Sequence, residues 1–432
     1  MIWEKDVECM SRKELRQLQL ERLQSTLTRV ARNVPFYRRK FEELDIEPDD
    51  FLSLDDLRKL PFTTKADIRD NYPYGLFAVP LREVVRLHSS SGTTGRPVVV
   101  GYTRNDIKKW SELAARVLCA GGLTRDDVLQ ILFSYGLFTG GFGLHYGAER
   151  IGASVIPSSS GNAERQIRIM QDYRTTALAC TPSYALHLAD TMAGLGIGAG
   201  SLSLKYGLFG AEVWSEAMRT EIQARLNIVA TDNYGISEIM GPGVAGECLE
   251  RNGLHVNEDA FLVEIIDPET AEPLPDGRVG ELVVTTLTKE AFPIIRMRTG
   301  DLTRKLEGDC PCGRTLTRIS RVLGRSDDML IIKGVNVFPS QVEEELLRIE
   351  GIEPHYQIVL DRVANLDRAT VHVEVSEALL FDQLGKSQDL IARIKKRLSS
   401  SLGVSFEVRL VEKMTLERSQ GKTRRVVDNR LF

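Results

Sequence analysis

The 432-residue chain has no apolar run long enough to span a bilayer, which excludes an integral membrane protein built on hydrophobic helices. Its first residues, Met1-Ile2-Trp3-Glu4-Lys5-Asp6, carry charge at once and lack the apolar segment of a secretory signal, so a cytoplasmic protein without a membrane role is expected. Cysteine is scarce: six in this length, with no secretory signal, argue for free thiols or metal ligands instead of a disulfide framework. Neither sign of charge dominates, since 56 basic residues face 60 acidic ones for a net charge of −4, with no long block of either, which speaks against a nucleic-acid partner. Internal repeats and low-complexity tracts are absent as well; Gly194 to Gly200 reads as a loop.

What is present is an ordinary globular composition, 42% hydrophobic and 27% charged, in a chain too long for one core, so at least two domains are expected. Leu15, Leu18, Leu23, Leu27 and Val30 recur at helical spacing and predict an amphipathic helix from Ser11 to about Phe41. From Gly101 to about Val284, helix-like stretches such as Arg104 to Leu118 and Ala163 to Asp172 alternate with short apolar runs such as Val128 to Phe133, Ser154 to Ile156 and Ala177 to Ala179. That alternation indicates a layered α/β domain. After Asp327 the order becomes strand, helix (Pro339 to Ile349), strands near Gln357–Leu360 and Ala369–Val375, helix (Gln388 to Leu398) and a strand near Phe406–Leu410, a compact α+β unit.

One stretch is built for anions. Ser89-Ser90-Ser91-Gly92-Thr93-Thr94-Gly95-Arg96-Pro97 sits between two short β-branched runs, Val84 to His88 and Val98 to Tyr102, and so forms a strand-to-strand loop. Glycines let successive backbone N–H groups converge on one anion, and the Ser and Thr hydroxyls add donors for phosphate oxygens. A Walker loop is excluded, because Arg96-Pro97 follows Gly95 where that motif needs Lys-Ser/Thr opening a helix.

A second cluster is metal-like. Cys310-Pro311-Cys312-Gly313 is a knuckle-like turn, and with Cys248 and His255 it makes a candidate Cys3His structural zinc site. Cys9, Cys119 and Cys180 read as isolated core or surface residues.

The hydroxyl-rich loop resembles the phosphate loop of the adenylate-forming enzymes, the acyl-CoA synthetase and luciferase superfamily. Asn71 to Pro80 (Asn-Tyr-Pro-Tyr-Gly-Leu-Phe-Ala-Val-Pro), Tyr135-Gly136-Leu137-Phe138-Thr139-Gly140-Gly141 and Gly324-Arg325-Ser326-Asp327-Asp328-Met329-Leu330 narrow the resemblance to the phenylacetate-CoA ligase branch, over nearly the whole chain. The resemblance implies a large N-terminal adenylation domain, residues 1–326, and a small mobile C-terminal domain, residues 327–432. It implies an ATP-, Mg2+- and coenzyme A-dependent ligase of an aryl acid, most simply phenylacetate. Another arylacetic, benzoic or indole acid, or transfer to a carrier-protein thiol, stays open, and a homodimer is a further expectation.

It also implies roles by position. Ser89, Ser90, Ser91, Gly92, Thr93, Thr94 and Gly95 would hold the β- and γ-phosphates, and Ala211 and Glu212 of Phe209-Gly210-Ala211-Glu212 would line the adenine and acyl pocket. In Asp232-Asn233-Tyr234-Gly235-Ile236-Ser237-Glu238, Tyr234 would stack on adenine and Glu238 would help hold magnesium. Asp301 of Arg298-Thr299-Gly300-Asp301 would take the ribose hydroxyls with Arg325 beside it. Asp327 would be the hinge, the turn Lys333-Gly334-Val335-Asn336 would meet the pantetheine arm of CoA, and Lys422 would bridge carboxylate and α-phosphate during adenylation. Tyr135, Phe138, Phe142, Ala211, Ile236 and Pro242 are the expected acyl pocket. The Cys310/Cys312 pair departs from the family pattern, which places the zinc site outside the catalytic roles.

Overall fold

The computed structural model describes residues 1–90, 97–326, 328–332, 335–363, 366–375, 384–417 and 425–430. The centre of the N-terminal body is a nine-stranded sheet. Five of its strands run parallel, in the spatial order Val229–Tyr234, Tyr206–Gly210, Ala177–Cys180, Val128–Ile131, Ser154–Ile156. All four residues of Ala177–Cys180 are buried, as expected of a parallel strand covered by helices on both faces. Beyond Tyr234 the same sheet continues antiparallel through Ala245–Glu247, Leu254–Val256, Arg318–Ile319 and Lys305–Leu306.

Two features differ from the sequence reading. The predicted helix from Ser11 to Phe41 is two: Arg12–Asn33, opened by a Ser11/Glu14 capping box, and Pro35–Glu43, where Pro35 cannot donate into the preceding helix and starts a new one. The second is a separate antiparallel sheet of Phe261–Ile266, Gly280–Thr286, Met297–Thr303 and Gly324–Arg325, where the α/β alternation was expected to run on to Val284.

The expected C-terminal unit is present with longer elements. Strands Ile352–Val363 and Leu366–Val375 form a hairpin flanked by Glu407–Glu412 on one side and Val426–Asp428 on the other, and helices Pro339–Leu347 and Leu384–Leu402 accompany the sheet. Its core, including Ile332, Val342, Ile358, Val371, Ile394 and Leu398, is a cluster of its own. No helix among the described residues is long and apolar enough to cross a membrane.

Buried ion pairs fasten the N-terminal segment to the body. Arg314 donates to Glu8 at 2.5 Å with both side chains 2% exposed, and Arg116 bridges Asp259 at 2.6 Å and Glu4. Removing one partner of such a pair strands the other charge away from water, at a cost of about 3–5 kcal/mol.

Candidate active site

The hydroxyl-rich loop is mounted on a two-stranded ribbon, Arg86–Ser89 paired with Val99–Tyr102, in register Ser89 to Val99. Its base is closed by hydrogen bonds. The Ser90 amide donates to Val98 O (3.0 Å), and the Val98 amide donates to Ser90 Oγ (3.0 Å). The Ser89 amide and His88 Nδ1 both reach Leu137 O, at 2.9 and 3.0 Å, which joins the loop to the Tyr135–Gly141 motif. Ser89 and Ser90 therefore frame the loop. Ser91, Gly92, Thr93, Thr94 and Gly95 lie outside the described residues, as do Asp327, Lys333, Gly334 and Lys422.

The structure brings together three residues that lie far apart in sequence. Tyr234, at the end of its parallel strand, donates its hydroxyl to Asp301 Oδ2 at 2.6 Å, and Arg325 donates to the other carboxylate oxygen at 2.5 Å. Arg325 and Asp301 are paired directly across adjacent strands, which fixes this contact in the sheet register. Burial pushes the Tyr234 hydroxyl well up, and the neighbouring Asp301 charge adds to it, so it is a permanent donor. Glu238 lies in the short 3-10 turn Ser237–Ile239 and is 9% exposed. Burial raises its carboxyl above the ordinary glutamate value, against opposing contributions from its own backbone N–H and from Lys65. A buried, hard carboxylate of this kind suits magnesium, which takes one or two protein carboxylates alongside phosphate oxygens and water.

The turn that follows Tyr234 needs glycine. A Cβ on Gly235 would lie 2.6 Å from Gly241 Cα and 3.1 Å from Pro242 Cα, so the two chain segments interlock backbone to backbone. Asn233 donates from Nδ2 to Phe209 O and so ties this strand to the Phe209–Glu212 segment, where Ala211 holds a left-handed φ of 69°. The Asp232 and Glu212 side chains serve internal networks. Burial takes the Asp232 carboxyl up to about 7, reinforced by the nearby Glu247 charge and opposed by Trp214 and Arg219. Glu212 accepts from the Ser183 amide at 2.6 Å, at the start of helix Pro182–Gly194; burial raises its carboxyl, with Arg425 opposing.

The six acyl-pocket candidates fall in adjoining positions. Tyr135, Phe138 and Ala211 pack against one apolar cluster, and Phe142 and Ile236 against its neighbour. The Tyr135 and Phe142 rings meet edge to face at 5.2 Å. A Cβ on Gly143 would lie 2.5 Å from Trp110 and 2.8 Å from Pro242, whose carbonyl accepts from Trp110 Nε1 at 2.7 Å. The sequence reading did not include His145, which lies 3.2 Å from the Tyr135 hydroxyl through Nδ1 and 3.0 Å from Glu149 through Nε2. An i,i+4 His/Glu pair on the helix after the motif was the available signal.

The Cys/His cluster assembles as expected. Cys248, His255, Cys310 and Cys312 each offer one ligand atom, all within 4.8 Å of one another. Cys248 Sγ lies 3.7 Å from Cys310 Sγ, and Cys312 Sγ lies 3.5 Å from His255 Nε2. Tetrahedral zinc with Zn–S of about 2.3 Å holds its ligand atoms roughly 3.5–3.8 Å apart, which the Cys248/Cys310 and Cys312/His255 separations match, and the donor set suits the ion.

A two-domain protein with a hydroxyl- and glycine-rich loop sequence, a buried Tyr/Asp/Arg cluster and a buried glutamate fits an enzyme that activates acids with ATP. The AMP-binding enzyme family matches residues 49–288, and the AMP-binding enzyme C-terminal domain matches residues 334–430. The chain is 50% identical over 98% of its length to the phenylacetate-coenzyme A ligase of Escherichia coli (strain K12), covering 97% of that protein. It is 51% identical over 96% of its length to that of Pseudomonas putida, covering 94% of it. The chain belongs to the phenylacetate-CoA ligase family of AMP-binding enzymes.

Among solved structures, 2-hydroxyisobutyryl-CoA ligase in the postadenylation state, in complex with R3-HIB-AMP, superposes with a TM-score of 0.94 at 28% identity, covering 99% of this chain and 92% of that one. The same ligase in the thioesterification state, with acyl-AMP and CoA, gives only 0.73 at the same coverage. This chain's domain arrangement thus superposes better on the former structure than on the latter.

Proposed function

We propose that the chain is an ATP-dependent phenylacetate-CoA ligase that works through an acyl-adenylate. The observation that carries this is the near-full-length identity of 48–51% to four phenylacetate-CoA ligases. The benzoate-CoA ligase of Thauera aromatica reaches 26% over 61% of the chain, which disfavours a benzoate-type acid. In the first step a phenylacetate oxygen attacks the α-phosphorus of ATP and pyrophosphate departs; in the second the CoA thiol attacks the acyl carbonyl and AMP departs.

Roles for the chain's own residues follow. Asp301, held by Tyr234 and Arg325, accepts from the ribose hydroxyls. Ser89 to Gly95, with Thr94 central, holds the β- and γ-phosphates on the ribbon. Glu238 would hold magnesium, which supplies charge neutralisation on the polyphosphate. Lys422 bridges the carboxylate and the α-phosphate and stabilises the charge that builds up there. Tyr135, Phe138, Phe142, Ile236 and Pro242 enclose the aryl ring. The N-terminal domain, 1–326, and the C-terminal domain, 327–432, pivot at Asp327, which brings Lys333 to Asn336 to the pantetheine arm for the second step. Cys248, His255, Cys310 and Cys312 would hold zinc, which would tie down the loop between strands Lys305–Leu306 and Arg318–Ile319 and take no part in the chemistry.

Mass spectrometry of products from ATP, CoA and a panel of phenylacetate, benzoate, indoleacetate and a medium-chain fatty acid tests the reading. Phenylacetyl-CoA should dominate; preferential turnover of another acid would reassign the substrate.

A further inference from the structure

Among the described residues, besides the Ser340 Oγ to Leu323 O contact near the domain junction, the C-terminal domain meets the body at two polar clusters that no assigned role uses. At the first, Asp190 on helix Pro182–Gly194 accepts from His355 Nε2 of the C-terminal hairpin at 3.0 Å and from Arg225 of the neighbouring helix Glu216–Leu226 at 2.7 Å. Lys413 approaches the same carboxylate at 3.8 Å and pairs with Glu353 at 3.3 Å. Asp190 and His355 are 8% and 9% exposed, so water screens this contact little. Burial alone would raise the Asp190 carboxyl, yet the His355 and Arg225 hydrogen bonds outweigh it and hold it well below the usual aspartate value.

At the second point, Glu343 of helix Pro339–Leu347 accepts the backbone N–H of Ser215, the N-cap of helix Glu216–Leu226, at 3.0 Å. Its other oxygen pairs with Arg425 at 2.8 Å, and Arg425 lies over the Tyr356 ring at 4.7 Å. Both points join elements of different domains. A C-terminal domain that turns to a second arrangement must break both together.

We propose that Asp190 and His355, backed by Glu343 on the Ser215 N-cap, form an interdomain latch that holds the present domain arrangement against a turned one and so sets the balance between the two half-reactions. They are positioning residues: neither is placed against substrate. The proposal rests on the two-step reading above. Its physical basis is that a hydrogen bond to a charged group contributes enough to shift a two-state equilibrium by roughly tenfold or more.

The test uses the full chain and the variants His355→Gln, which keeps the packing, and Asp190→Asn. Adenylation is followed as phenylacetate-dependent ATP–pyrophosphate exchange, and the second step as thioester formation from synthetic phenylacetyl-adenylate and CoA. The ratio of second-step to first-step rate should rise about tenfold in either variant, and combining them should add little. Hydrogen exchange at the Ser215 amide, which donates across the interface, should quicken in both. An unchanged ratio, or equal loss of both steps, would overturn the latch. Should wild-type protein form no adenylate, the two-step reading fails instead; the Ser215 exchange then decides the latch alone, and unchanged exchange in both variants sinks it.

Discussion

Replacing Tyr234 with phenylalanine separates two jobs that one side chain could do. The ring alone would suffice for stacking on adenine; the hydroxyl is needed only to hold Asp301. That hydroxyl donates to Asp301 Oδ2 at 2.6 Å in a site where Tyr234 is 9% and Asp301 4% exposed. A hydrogen bond to a buried charged acceptor contributes about 1.5–3 kcal/mol, because the abandoned oxygen regains little water. Arg325 still holds the other oxygen at 2.5 Å, so the carboxylate should swing, not leave. If Asp301 positions the ribose, Tyr234→Phe should raise the KM for ATP about tenfold, which corresponds to roughly 1.4 kcal/mol, with the KM for phenylacetate unchanged. Initial rates of pyrophosphate release against ATP and against acid provide the assay. A wild-type KM for ATP in Tyr234→Phe, alongside a raised one in Tyr234→Leu, would show that the ring alone matters and refute the hydroxyl argument.

Other expectations can be checked independently. Lys422→Ala should nearly abolish adenylate formation yet still convert preformed phenylacetyl-adenylate and CoA; equal loss of both steps would remove Lys422 from its assigned role. Inductively coupled plasma analysis of protein purified without added metal should find close to one zinc per chain, lost in the Cys310→Ser, Cys312→Ser double variant; a metal-free wild type ends the zinc assignment. Lys289 is fully buried 3.4 Å from the Tyr102 ring centroid, and burial takes its amine from the ordinary 10.5 down to about 7, with Asp106 opposing. The unfolded chain keeps that proton between pH 7 and 10.5 while the folded chain releases it, so stability should rise with pH across this window. The gain from pH 7 to 9 should be on the order of 2 kcal/mol in urea unfolding, absent in Lys289→Met; an equal pH response in both would refute it.

What could be read from sequence depended on whether the chemistry was contiguous. The loop from Ser89 to Pro97 is legible because nine adjacent residues carry its donors and turns. The Cys/His cluster is legible despite its spread, because Cys and His are scarce enough in this chain that a grouping stands out. The antiparallel sheet was not: every residue of Gly280–Thr286 is buried, which erases the inside–outside alternation that marks such a strand. Pro35 carried the correct signal for a helix break, but the apolar spacing from Leu15 to Val30 before it was read on through Pro35 to Phe41 as one helix. The latch and the N-terminal clamp were invisible for another reason. His355 and Asp190 lie 165 residues apart, and Arg314 and Glu8 lie 306 apart; among so many charged residues, pairing is set only by tertiary proximity.

The two-step mechanism is tested most directly by phenylacetate-dependent exchange of labelled pyrophosphate into ATP with CoA left out. An enzyme that makes phenylacetyl-adenylate first should exchange label readily under these conditions, with AMP and phenylacetyl-CoA accumulating only once CoA is added. Exchange that requires CoA, or release of ADP and phosphate in place of AMP and pyrophosphate, would contradict the account.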